Sequence, residues 1–165
     1  MASTTVRWGE EEVRLTWIKS SRKPQIELIT SVHAFCFKQG RILLVNLDHR
    51  GWDFPGGHID KGETPDESLH REVMEEAYVE GTCEQLGFII VDHSNNAKWN
   101  DQSKYPKVGF QLFYTLQINK MHTFEAGFES CERILVDPTE ISRLYNGWHH
   151  IYQEILDCAL SSPNH

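Results

Sequence analysis

The chain has 165 residues, of which 39% are apolar and 24% charged, so it is expected to form one globular domain, residues 1–165, with a real core. A net charge of −8 argues against a basic face for duplex nucleic acid or an anionic membrane, but it allows a small phosphorylated ligand whose site metal ions neutralise. No apolar run approaches the roughly 20 residues needed to cross a bilayer, and the opening MASTTVRWGEEEV lacks the pattern of a signal peptide. Cys36, Cys83, Cys131 and Cys158 lie far apart with no CxxC pair, which points to free buried thiols and a cytoplasmic location.

In chain order, Val6 to Ile18 alternates around Gly9 and reads as a short hairpin, with Trp8, Val13, Leu15 and Trp17 on one apolar face. Residues 1–24 are the segment whose role is least defined: a lid, a contact for a homodimer, or an edge strand. Ser20 to Gln25 is a polar loop. Ser31–Phe37 and Arg41–Leu47 read as strands joined by a turn at Gln39-Gly40. The following stretch, His49 to Gly57, breaks the periodicity with glycines and a proline, and can bring backbone close to a ligand where a side chain would block it. Within it Arg50 is a candidate phosphate or base contact. Trp52 either stacks on a base or packs beneath the loop.

Thr64 fits an N-cap, Pro65 the first helical position, and Glu67 completes a capping box three residues on. Leu69, Val73 and Ala77 recur every four residues and would face a sheet. Beside that stripe Glu72, Glu75 and Glu76 fall on one helix face, about one turn apart. Three adjacent anions repel one another, so the pattern calls for a divalent cation. Mg2+ suits it, being a hard ion that takes carboxylate oxygens and is often bound together with substrate phosphates.

Beyond the helix, Cys83–Val91 reads as a strand, Ser94–Pro106 as a polar loop holding Trp99, and Val108–Ile118 as a strong strand. Met121–Glu132 is irregular, Ile134–Val136 a short strand, Asp137-Pro138 a turn, and Trp148–Leu160 an amphipathic helix with Ile151, Ile155 and Leu156 inward. His149 and His150 diverge by about 100° on a helix and cannot share one metal. His58 and His70 read as solvent-exposed, with a phosphate contact the alternative.

The stretch from Gly57 to Val79 resembles the Nudix box, G-x5-E-x7-R-E-U-x-E-E-x-G-U with U aliphatic. Gly57, Glu63, Arg71, Glu72, Val73, Glu75, Glu76 and Val79 are in register, and Trp52-Asp53-Phe54-Pro55-Gly56-Gly57 is similar to the family's lead-in. One position departs, since Tyr78 stands where the family has glycine. A left-handed tyrosine there would carry a steric cost of about 1–2 kcal/mol.

The resemblance implies an α/β/α sandwich with a mixed, curved sheet and a catalytic loop–helix–loop. It also implies hydrolysis of a nucleoside diphosphate linked to another group. By that resemblance Glu72, Glu75, Glu76 and the Gly56 carbonyl would hold Mg2+ (or Mn2+), and Glu72 would also act on the attacking water. Arg71 would orient a glutamate, and Glu63 would pair with Arg71 or reach an outer metal. Gly57 and Arg50 would meet the substrate. The family often adds a glutamate from a later loop, for which Glu129 is favoured over Glu125 and Glu132. A nucleoside triphosphate, oxidised or not, cut to monophosphate and pyrophosphate is the leading substrate. The alternatives are a nucleotide sugar, a dinucleotide, an RNA 5′ end, or a non-catalytic module that binds a nucleotide.

Overall fold

The computed structural model describes residues 2–48, 50–127 and 130–161. The N-terminal segment is a hairpin of β1 (Ala2–Trp8) and β2 (Glu11–Lys19), turning at Gly9 with φ +67°. The alternation in β2 puts Val13, Leu15 and Trp17 into the core, while Trp8, beside the turn of the hairpin, stays 38% exposed. Strands β3 (Ile29–Lys38) and β4 (Arg41–Leu47) meet through a turn in which Gln39 and Gly40 both have positive φ. That backbone matches the twist of a tight hairpin.

β3 is apolar on both faces. Val32, Ala34 and Cys36 belong to one core cluster and Phe35 and Phe37 to the other, because the strand is covered from both sides. It runs parallel to β8 (Val108–Met121), which pairs antiparallel with β7 (Val79–Asp92), and β7 in turn pairs with β2. The stretch read as a glycine-proline loop contains two short strands, β5 (Gly51–Asp53) on β4 and β6 (Gly56–His58) on β3. A three-residue strand has no periodicity of its own to reveal it. β9 (Ser130–Val136) also pairs with β4, and the described residues form one nine-stranded mixed sheet.

Helix α1 (Pro65–Ala77) covers one face, its Leu69, Val73 and Ala77 fully buried against the cluster around Val32 and Ala34. Such burial stabilises by about 2 kcal/mol for the leucine and again for the valine. The other face carries α2 (Ile141–Leu144), after a 3₁₀ turn at Pro138–Glu140, and α3 (His150–Leu160) with Ile151, Ile155 and Leu156 inward. This is the α/β/α sandwich. α3 begins two residues later than the periodicity suggests, since His149 is extended and precedes the helix. β7, β8 and β9 are each longer than their apolar runs, being prolonged by ladder pairing through polar residues such as Glu80 and Glu132. All four cysteines are free, but only Cys36 is buried; Cys131 is exposed on β9.

Both ends of α1 are set by side chains. The Thr64 hydroxyl accepts from Glu67 N at 3.1 Å and Glu67 Oε1 accepts from Thr64 N at 3.0 Å, the reciprocal capping box. Thr64→Ala is therefore expected to lower stability by about 1 kcal/mol and to leave turnover per folded molecule unchanged. Urea unfolding followed by circular dichroism checks the first, and an unaltered midpoint would refute the cap. At the other end Tyr78 adopts the left-handed conformation, φ 57° and ψ 42°, so the strain expected of a tyrosine in the glycine position is present. Its hydroxyl accepts from Gly127 N at 2.9 Å and its ring meets Phe124 edge-on. Arg133 Nη1 donates to the carbonyls of Ala77 and Tyr78, at 2.8 and 3.2 Å, satisfying acceptors that the last helical turn leaves open. Nothing local marks Arg133 for this task, because it arrives from β9.

Candidate active site

β3 and β4 pair only beside their shared turn, at Phe37–Ile42 and Lys38–Arg41, and diverge beyond it. At the open end lies a cleft of about 550 Å³ between β3, the Arg50–His58 segment and α1. Glu72, Glu75 and Glu76 line it together with Gly56, Gly57 and Arg50, so the fold brings the row of carboxylates and the glycine segment together.

The glycines are needed for contact. A Cβ on Gly57 would lie 2.5 Å from the Glu72 carboxyl carbon, and one on Gly56 would lie 2.4 Å from the Val32 carbonyl oxygen. β6 therefore sits against both β3 and α1 with no room for a side chain between. Gly56 N donates to Glu76 Oε1 at 2.9 Å, which ties the most buried of the three carboxylates, 6% exposed, to the lead-in strand.

Arg71 is the hub of the acidic wall. Its Nε and Nη2 donate to the two oxygens of Glu63 at 2.8 and 3.0 Å, a bidentate pair. Nη1 donates to Glu72 at 2.9 Å and to Glu75 at 3.3 Å, and Nη2 also donates to the His58 carbonyl at 3.1 Å. The Arg71 hydrogen bonds hold Glu63 down at about 2. Burial moves Glu72 the other way, above the ordinary glutamate range, with Arg71 opposing the shift.

The donor set suits a hard cation, since three carboxylates of one helix line a cleft together with Gly56 and Gly57. Among the described residues, no three His, Cys, Asp or Glu side chains already enclose a metal position. Glu72 and Glu75 instead share one guanidinium nitrogen. A bound cation would have to draw at least one of them from Arg71, whose bidentate hold on Glu63 does not depend on either.

The remaining sequence candidates divide. Arg50 lines the cleft and pairs with Asp53 at 3.2 Å. Trp52 does not line it. The pleat of β5 turns Asp53 into the cleft and Trp52 to the opposite side, where it packs on the core cluster beneath α2 and α3. Glu129 lies outside the described residues. Glu125 and Glu132 are exposed and away from the cleft, and Glu132 accepts from Asn46 on the neighbouring strand. His58 is exposed, as read from the sequence, yet lines the cleft; His70 is exposed beside Cys83.

The cleft also recruits His33, Asp53, Tyr105 and Gln111, none of which the sequence singled out. His33 could have been suspected as the polar residue in an apolar strand, and Asp53 from its place in the lead-in. Tyr105 and Gln111 carry no local signal. Burial keeps His33 neutral, lowering it to about 3, and the nearby Arg50 acts in the same direction.

Burial raises Asp53 to about 6, while Arg50 and the Phe54 N–H hold it back. An unfolded aspartate titrates near 3.9. Between those values the native state keeps a proton that the unfolded chain has released, so this group stabilises the fold at low pH and that contribution is lost as pH rises from about 4 to 6. Two units correspond to a ceiling of about 3 kcal/mol. The stability gap between wild type and Asp53→Asn, from urea midpoints, should shift in favour of the variant across that window and then level off. A gap that does not change with pH would contradict the shift.

A family model described as the NUDIX domain matches residues 28–156. Among curated proteins, the RNA pyrophosphohydrolase of Psychrobacter cryohalolentis is 46% identical over 39 residues, 23% of this chain and 22% of that protein. The RNA pyrophosphohydrolase of Helicobacter pylori (strain G27) is 68% identical over 25 residues, 15% and 16% of the two chains. The chain thus spans less than a quarter of the length of the curated relatives it matches. The crystal structure of the Bacillus subtilis pyrophosphohydrolase BsRppH shares the fold with a TM-score of 0.72 at 21% identity, covering 92% of each chain.

Proposed function

The chain belongs to the Nudix family of pyrophosphohydrolases, and on that premise we propose that it hydrolyses a diphosphate bridge in a nucleoside 5′-triphosphate, giving a monophosphate and pyrophosphate. The observation that carries the reading is the cleft in which Glu72, Glu75 and Glu76 face a glycine segment too close-packed for a Cβ. Glu72, Glu75, Glu76 and the Gly56 carbonyl would hold Mg2+, with Mn2+ a workable substitute. When bound, the ion would lower the pKa of water and neutralise charge on the phosphate oxygens.

The protein's own share is positional. Arg71, anchored by Glu63, orients Glu72 and Glu75. Glu72, already raised by burial, is suited to take the proton of the attacking water. Arg50 stands across the cleft to meet a phosphate, and the bare backbone of Gly57 lets the substrate approach. Glu129 is proposed as the further carboxylate from the later loop. Residues 1–165 are read as one domain, because the β1–β2 hairpin continues the sheet through β7. Two copies could meet along β1, which stands at the end of the strand order. No helix among the described residues is long and apolar enough to cross a membrane.

A second reading, cleavage at the 5′-triphosphate end of an RNA, is favoured by the names of the partial relatives. One panel separates the two: the nucleoside triphosphates, 8-oxo-dGTP, ADP-ribose and a 5′-triphosphorylated oligoribonucleotide, each with Mg2+, assayed for pyrophosphate and orthophosphate and, with ADP-ribose, for AMP. Pyrophosphate from free triphosphates supports the first reading. Activity confined to the oligonucleotide supports the second, and activity confined to ADP-ribose overturns both.

A further inference from the structure

Next to the cleft lies a second cavity of about 240 Å³. It shares Ser31, His58, Tyr105 and Gln111 with the cleft, so the two are continuous along one wall. Its other side is aromatic, built from Trp8 of the N-terminal hairpin, His93 after β7, and Tyr105 of the following loop. His93 meets Trp8 edge-on at 5.8 Å and lies parallel to Tyr105, with centroids 6.4 Å apart. Its main-chain N–H donates to Lys107 O at 2.8 Å, which holds the two ends of the loop together.

The His93 side chain is 3% exposed, and neither ring nitrogen has a hydrogen-bond partner among the described residues. Both nitrogens are also closed to water, so the imidazole meets the cavity as a ring of its wall and not through a donor or an acceptor. A ligand whose flat face stacks on aromatic rings would account for a wall of this kind beside the cleft.

We infer that this cavity is the subsite for the nucleobase of the substrate, with the ring stacked on Tyr105 and Trp8 and the phosphates in the cleft beside α1. The inference rests on the nucleotide reading above. It gives the N-terminal hairpin, which lies outside the matched residues 28–156, a direct part in substrate recognition through Trp8.

The test is calorimetric binding of GMP, AMP, CMP and UMP, with ribose 5-phosphate as the control without a base, to wild type, Trp8→Ala, Tyr105→Ala and His93→Phe. Trp8 is 38% exposed, so its removal leaves the fold intact. His93→Phe keeps the ring but removes both nitrogens. Loss of one stacking partner should weaken nucleotide binding about ten-fold without changing ribose 5-phosphate, whereas His93→Phe, which keeps the wall aromatic, should bind as wild type does. Equal binding of nucleotides and ribose 5-phosphate to wild type, no nucleotide binding at all, or unchanged affinities in Trp8→Ala and Tyr105→Ala would each overturn the proposal. Triphosphate turnover measured alongside separates the two readings. Normal turnover with unchanged affinities rejects only the base subsite. Absent wild-type turnover, with base-selective binding that Tyr105→Ala removes, rejects only the hydrolase substrate.

Discussion

Glu76→Gln is expected to reduce Mg2+-dependent nucleotide turnover by at least about 10²-fold while the fold survives. The reason lies in what glutamine keeps and what it loses. Its side-chain oxygen can still accept the Gly56 N–H, the 2.9 Å bond that ties α1 to β6. The negative charge is lost at a position only 6% exposed, where water cannot replace it. Glu72→Gln should be comparably damaging to turnover, since it removes the carboxylate best placed to take a proton and weakens the bond from Arg71 Nη1. In both variants the Mg2+ concentration for half-maximal rate should rise, and the thermal midpoint should move by no more than a few degrees. Wild-type turnover at saturating Mg2+ in either variant would remove that carboxylate from the proposed chemistry.

Gly57→Ala and Gly56→Ala should differ in kind. At Gly57 the added Cβ meets the end of the Glu72 side chain, at 2.5 Å from its carboxyl carbon and 2.7 Å from Oε2. That end can swing away, so stability should change little, but the carboxylate then leaves its place in the cleft. A displacement of about 1 Å at a catalytic group costs on the order of 10²-fold in rate. At Gly56 the Cβ meets backbone, the Val32 carbonyl at 2.4 Å and the His33 Cα at 2.9 Å. Backbone in a central strand does not yield, so overpacking should cost about 1–3 kcal/mol and turnover should fall with the folded fraction. Measuring kcat and the urea midpoint on both variants checks the contrast. Gly57→Ala with a wild-type rate would show that Glu72 does not need its present position.

Much of the site can be read along the chain because its parts are close in sequence and organised by one helix. The capping box at Thr64, the apolar stripe of Leu69, Val73 and Ala77, and the row of Glu72, Glu75 and Glu76 all follow from helical geometry within a few turns. The strained Tyr78 is equally local: a tyrosine in the place of a closing glycine forces either a left-handed residue or a different helix end. The structure takes the left-handed one and supports it with Gly127, Phe124 and Arg133. Trp52 is ambiguous in the sequence because a three-residue strand gives no phase, and only the pairing of β5 with β4 decides which way its side chain turns.

The sequence alone determined the helix that carries the row of carboxylates, since spacing on a single helix needs no partner to place three of them on one face; the reaction class it only implied, through the resemblance of Gly57 to Val79 to the Nudix box. The tertiary structure decided what faces that helix. His33, Arg50, Tyr105 and Gln111 reach the cleft from different elements, and Trp8 meets His93 across 85 residues because β2 pairs with β7. Such contacts depend on strand register and on a parallel pairing of β3 with β8, which no local pattern of residues encodes. The row of carboxylates is therefore written in one stretch of chain, and the walls of the cleft around it are assembled only when the sheet forms.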